Sequence, residues 1–366
     1  MSEEYSEREA VLLEKERSLN AELDAKLALN IDKFPKAVYF IIPSELSERF
    51  CFFGIKNLLN QYLKAGFGYE SHYAKSQVHL FNGFANLFPL AGAAISDSFL
   101  GKYHTIVYFS IAYLCGCVLL SVFSINGVLG QFGSYPYFGY IIPALLITFG
   151  SGGIKPCLSA QGGDQFLRVQ VNLIDRFYSF FYVAATMGIL LSQAVTPVLK
   201  NQVRCFDSPC YLLAFGFPSF IFLVSMAVFI GGRRYYRIVP AQKEFLPLKA
   251  AKVAFTAAKR WLRASQGERV EAGHWLRFAE GEYGPSFVEE TRLFLKTVVI
   301  FMPTVLYFML HDQYGTEWQN QYEKMDKVYL GLVSIPTEVS SNIKPLLILI
   351  ATPFLGEVRV SRAGEV

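Results

Sequence analysis

Apolar residues are gathered into blocks of about 20, the length an α-helix needs to cross a bilayer. Eight such stretches can be read, over residues 37–63, 78–100, 104–125, 137–159, 176–199, 211–231, 293–312 and 339–355, the last interrupted by Lys344 and Pro345. Composition agrees: 52% of the 366 residues are hydrophobic and only 17% charged, with mean hydropathy +0.30. A soluble domain of this size carries nearer a quarter charged residues. The expected class is therefore an all-α membrane protein.

Lys and Arg set the orientation. The one long connection holds Arg233, Arg234, Arg237, Lys243, Lys249, Lys252, Lys259, Arg260, Arg263 and Arg269. Lys102 and Arg168 mark short turns on the same side, whereas the connection after the third stretch is uncharged. Both chain ends are thus expected in the cytoplasm. The loop "CFDSPC" then faces outward, where Cys205 and Cys210 are expected to form a disulfide. The other four cysteines lie in apolar stretches and read as small hydrophobes. No tract is basic enough for nucleic-acid binding. No zinc spacing, catalytic triad or nucleotide loop is present: Lys155 is followed by Pro156 rather than Ser or Thr. An enzyme, a metal site and a cofactor are not expected.

The resulting plan is an acidic tail at 1–36, a six-helix bundle at 37–231, a basic linker at 232–292 and a partial second bundle of two spans at 293–366. The tail lacks a signal-peptide pattern and reads as solvated chain or a short surface helix. Six spans, a linker and further spans are the pattern of two six-helix halves. With two spans after the linker, the chain reads either as an eight-span protein or as a truncated twelve-span one. The linker segment "LKAAKVAFTAAKRWLRAS" is helical and amphipathic, suited to lying along the inner membrane surface or to retention and packing alone.

Charges inside the first stretch point to function. Glu45, Glu48, Arg49, Phe52 and Lys56 fall within about 100° of helical arc. Each charge would cost roughly 2.5–3.5 kcal/mol facing lipid, so this stripe must face a bundle interior or an aqueous cavity. A structural ion-pair network would account for its near neutrality; a functional site is favoured, because ionisable groups within membranes are functional by default. His79 is either interfacial or proton-coupling. Lys155, in "GSGGIKPCLSAQGGDQF", either snorkels to the surface or lines the cavity, and Pro156 is expected to disturb its helix. Lys296, near a span end, reads more readily as snorkelling. Together these residues describe a cavity suited to a small solute with an anionic group, with carboxylates able to couple protons.

Several motifs carry a family resemblance. "ELSERFCFFG" (45–54) resembles the ExxERFxYY motif of the proton-dependent oligopeptide transporters, and "GGIKPCLSAQGGDQF" (152–166) is nearly their signature. "DSFLGKYHTI" (97–106), "FYSFFYVAATMG" (177–188), "HWLRFAEGEY" (274–283) and "LHDQYGTEW" (310–318) resemble further segments in the same order. The resemblance implies a major facilitator bundle, here a complete N-terminal six-helix half plus about two further helices. It implies proton-coupled symport of di- and tripeptides, with protons as the coupling ion and no other cofactor. A plasma membrane is the family default, and an endosomal or lysosomal membrane is the alternative.

Carried over, Glu45, Glu48, Arg49 and His79 are proton-coupling residues. Lys56 and Lys155 stand near the peptide carboxylate, and Lys296 joins a gating ion pair. Phe53, Asn86, Thr186 and Phe308 stand at substrate-binding positions, but depart from the pattern. Phe52 and Phe53 replace paired tyrosines, Asn86 a tyrosine, Thr186 an asparagine and Phe308 a tryptophan. These departures leave open another small solute, such as histidine or nitrate. The length leaves open a fragment that regulates a full-length partner. Oligomeric state is not legible.

Overall fold

The computed structural model describes residues 18–25, 33–125, 137–167, 169–205, 208–241, 245–264, 274–312 and scattered positions from 321 to 350. A short helix α1 occupies 18–25. It is followed by α2 (Val38–Phe67), α3 (Ser71–Ile95), α4 (Lys102–Phe123), α5 (Ile142–Gly163), α6 (Val171–Gln202) and α7 (Tyr211–Gly231). Short π-helical turns, Ser96–Leu100 and Tyr137–Ile141, extend α3 and precede α5. Beyond them lie α8 (Leu246–Arg263), α9 (Glu280–Tyr283) and α10 (Pro285–Asp312). Most of the stretch at 339–355 lies outside the described residues.

Among the described residues, six helices are long and apolar enough to cross a membrane: Ser71–Leu100, Lys102–Phe123, Gly139–Gly163, Val171–Gln202, Tyr211–Tyr235 and Pro285–Leu310. At 30 residues α2 is also long enough. Its apolar character is interrupted by the charged stripe and by Asn57, Asn60 and Gln61. Several helices begin before their apolar stretch, α3 at Ser71 and α10 at Pro285, because the helix continues into polar flanks.

The described chain divides into two compact units. In the first, α2 packs along α6 and α7 and touches α3 and α5; α5 packs between α3 and α4, and α4 also meets α7. Ile41, Ile55, Leu58, Leu59, Tyr113, Ile147, Phe177 and Phe215 fill the shared core. Helix α5 runs unbroken through Pro156, contrary to the disturbance expected there. The proline removes one amide donor, that of Gly152's carbonyl four residues earlier. That oxygen lies against Gly92 of α3, 2.7 Å from where a Cβ would stand. Close helix packing thus accommodates the freed group.

Polar ties close the ends of the bundle. Lys102 at the start of α4 pairs with Asp164 after α5 at 2.5 Å. Cys205 and Cys210 are disulfide-bonded across a two-strand turn, β1 (Arg204–Cys205) with β2 (Ser208–Pro209), between α6 and α7. Part of the N-terminal tail is a docked helix. Asn20 of α1 donates to the Ile238 carbonyl at 2.8 Å and accepts from its amide at 3.1 Å, while Asp24 pairs with Arg237 at 3.4 Å. Gln165 holds the Arg237 amide at 2.8 Å and, with Gln161, donates to its carbonyl. These side chains satisfy backbone groups that have no helix or sheet partner.

The second unit comprises residues 97–99 and 242–325. Helix α8 lays Val253 and Ala257 against Leu276, Ala279 and Val288. Arg260 reaches the Phe278 carbonyl at 3.0 Å and Glu282 at 2.6 Å. His274 caps the 3₁₀ turn Trp275–Ala279, its Nδ1 accepting from the Leu276 amide at 3.2 Å. Partial burial, then the nearby Arg292 and Lys296, hold the imidazole below its ordinary value of 6.5. The folded cap therefore binds fewer protons than the unfolded chain as pH falls through the histidine range, so its contribution to stability is lost on acidification. Amide exchange across 274–283, corrected for intrinsic rates, is expected to be faster at mildly acid than at neutral pH. His274→Asn, which keeps a capping acceptor, should remove that difference; slower exchange in acid would contradict the assignment.

Candidate functional site

Helix α2 turns the charged stripe away from lipid. Glu45 and Glu48 are 1% and 0% exposed. Arg49 sits one turn after Glu45 and donates through Nε to its Oε1 at 2.7 Å. Its Nη1 lies 3.4 Å from Glu48 Oε2. From α5, the Ser151 hydroxyl donates to Glu48 Oε1 at 2.9 Å. Glu48 is thus tied to a base on its own helix and to a hydroxyl on another. Glu45 Oε2 is buried and has no hydrogen-bond partner among the described residues.

Close packing of α6 holds this arrangement. A Cβ on Gly188 would lie 3.0 Å from the Arg49 Cβ and collide with the Leu46 carbonyl, so only glycine lets α6 approach here. Thr186, two residues earlier, is buried and donates to the Tyr182 carbonyl of its own helix at 2.9 Å.

Two further bases stand beside the network on aromatic faces. The Lys155 ammonium lies 3.6 Å from the centroid of the Phe52 ring. Lys155 therefore turns from α5 toward α2 rather than running out along the helix to a surface. Phe52 stacks on Phe81 of α3 at 5.7 Å and meets Phe53 edge-on at 5.5 Å. The Lys56 ammonium lies 5.7 Å from the Phe53 centroid. A cation over an aromatic face is stabilised by the ring quadrupole, by about 2 kcal/mol where water is excluded. The Phe52 and Phe53 rings form two apolar platforms that carry ammonium groups.

The remaining sequence-derived residues are on α3 and α10. His79 and Asn86, two turns apart on α3, are both on its exposed face. Lys296 and Phe308 are on α10, in the second unit, and both are exposed. Sequence reasoning missed Ser151, Phe81 and Gly188. Ser151 lay within the quoted glycine-rich segment, one helical turn before Lys155, and that spacing was the available signal. Among the described residues, no cluster of three or more His, Cys, Asp or Glu could hold a metal ion.

Comparison with known proteins places this bundle. A family model described as the POT family, PTR2, matches residues 103–362. The chain belongs to the POT family. It is 33% identical over 321 residues to solute carrier family 15 member 2 of Danio rerio, covering 87% of this chain and 44% of that protein. It is 36% identical over 336 residues to peptide transporter family 1 of Drosophila melanogaster, covering 90% of this chain and 43% of that protein. The chain thus spans less than half the length of these relatives. Among solved structures, the POT family transporter PepTSo superposes with TM-score 0.67 at 26% identity, over 91% of this chain and 71% of that one. The family and the apolar helices make this an integral membrane protein of the major facilitator type.

Ser151→Ala is expected to remove the single donor that α5 offers Glu48 and to cost about 1–3 kcal/mol, the penalty for an under-satisfied buried carboxylate. The thermal unfolding midpoint in detergent should fall, with Ser151→Thr largely restoring it. An unchanged midpoint in Ser151→Ala would show that the hydroxyl is not a partner of Glu48.

Proposed function

We propose that the chain forms the proton-coupling half of a symporter for di- and tripeptides that works by alternating access. The observation that carries this reading is the buried Glu48, shared between Arg49 and Ser151, beside two ammonium groups on phenylalanine faces. Two carboxylates, Glu45 and Glu48, stand with three bases, Arg49, Lys56 and Lys155. A peptide carboxylate is drawn to Lys56 and Lys155. The names of the relatives, which include peptide transporters, support the substrate class.

Coupling follows from charge balance. A buried charge is stable only when paired. A proton on Glu48 cancels its charge, releases Arg49 to its other partner Glu45, and weakens the link from α2 through Ser151 to α5. A substrate carboxylate on Lys155 compensates the base that then lacks its countercharge. Proton and peptide thereby favour the same state, and a ligand shifts a conformational balance only through such differential binding. His79 and Asn86, on the exposed α3 face, and Thr186 complete the proposed substrate and proton path. Lys296 and Phe308, on α10, are proposed gating and binding residues of the full-length protein. The plasma membrane is the proposed location, and the reading involves no bond-breaking chemistry.

The test is labelled-dipeptide uptake by the full-length protein in proteoliposomes. Glu48→Gln should reduce accumulation driven by a pH gradient to the level of protein-free liposomes, while counterflow exchange persists. Loss of both together would make Glu48 a structural residue, and uptake independent of the gradient in the unsubstituted protein would overturn coupling. Stronger competition by free histidine or nitrate than by unlabelled dipeptide would reassign the substrate.

A further inference from the structure

Helix α8 carries five bases and no acid in 18 residues. Its two faces have different fates. Val253 and Ala257 are 0% exposed, packed on Leu276, Ala279 and Val288. Arg260 is engaged on the same unit by Glu282, and Lys249 lies 4.7 Å from the centroid of the Phe287 ring. The opposite face is laid out differently. Leu248, Phe255 and Leu262 recur every seven residues and are 51%, 72% and 69% exposed. At 3.6 residues per turn they form one line directly opposite Val253 and Ala257. Lys252, Lys259 and Arg263, all exposed, form a second line along one flank of that stripe.

We propose that this outer face of α8 is a docking surface for anionic phospholipid headgroups on the leaflet that α8 faces. The three apolar side chains enter the headgroup boundary, and Lys252, Lys259 and Arg263 pair with lipid phosphates and carboxylates. An apolar stripe flanked by bases is the pattern of helices that lie in a membrane interface. Chain connectivity supports the occupant: α8 is strung between α7 and α10, both of membrane-crossing length, with 14 residues between Gly231 and Leu246. An acidic soluble protein that engulfs a basic helix would need the whole circumference, and here Val253 and Ala257 are already covered. A planar surface needs only the one exposed face.

The test uses the full chain in nanodiscs, with a nitroxide at Ala251→Cys beside the stripe and the exposed Cys115 changed to Ser. The other free cysteines are buried. With phosphatidylserine present, the label should collide with oxygen rather than with a water-soluble nickel chelate. In phosphatidylcholine alone, it should become accessible to the chelate. Lys252→Gln with Lys259→Gln and Arg263→Gln should abolish the difference, each base contributing about fivefold to docking. Leu248→Ser with Phe255→Ser and Leu262→Ser should leave the label in water in both lipids. All six substitutions lie away from Val253 and Ala257, so the thermal midpoint should hold; single Lys259→Gln serves if a triple variant loses it. Equal depth in both lipids, a water-exposed label with phosphatidylserine, or a label shielded from both reagents would each overturn the proposal.

Discussion

Everything in the first unit is arranged around the burial of Glu48. A carboxylate with no exposed surface in the middle of a membrane-spanning bundle survives only with close partners. Here they come from two helices, Arg49 on α2 and Ser151 on α5. Small residues at the helix contacts follow from that requirement. Gly188 lets α6 close against Leu46 and Arg49, and Gly92 lets α3 close against Gly152. Without those approaches, helix α2 could not be enclosed, and its charges would face lipid.

The same constraint explains why α2 is both the least membrane-like span by composition and the one that touches α3, α5, α6 and α7. Lipid-facing helices satisfy their surroundings with apolar side chains all round. A helix with a charged stripe has to be enclosed by others, and enclosure makes it central. Lys155 obeys the same rule by a different route: its ammonium rests on the face of Phe52, which Phe81 backs. Phe52 and Phe53 supply the aromatic faces that a cation needs without a hydroxyl.

How much of this was legible depended on the range of the interaction. The stripe could be read because Glu45, Glu48, Arg49 and Lys56 lie on one helix, where a fixed period converts spacing into direction. The disulfide pairing of Cys205 with Cys210 could be read because the two residues are five positions apart. Ser151 could not, since its bond to Glu48 spans 103 residues and depends on how α5 is turned. Nor could the clamp of Asn20 on Ile238, across 218 residues, which makes a docked helix of part of an acidic tail. Pro156 was misread for the same reason: its local effect is to free a carbonyl, and a distant glycine on α3 accommodates it.

The central claim is that Glu48 is the group whose protonation is tied to substrate binding. Infrared difference spectroscopy on the reconstituted full-length protein tests it directly, by recording the carboxyl stretch as dipeptide is added. The account predicts a protonated-carboxyl band that changes on dipeptide addition, is absent in Glu48→Gln, and persists in Glu45→Gln. A band that persists in Glu48→Gln, or no carboxyl change on binding, would contradict it.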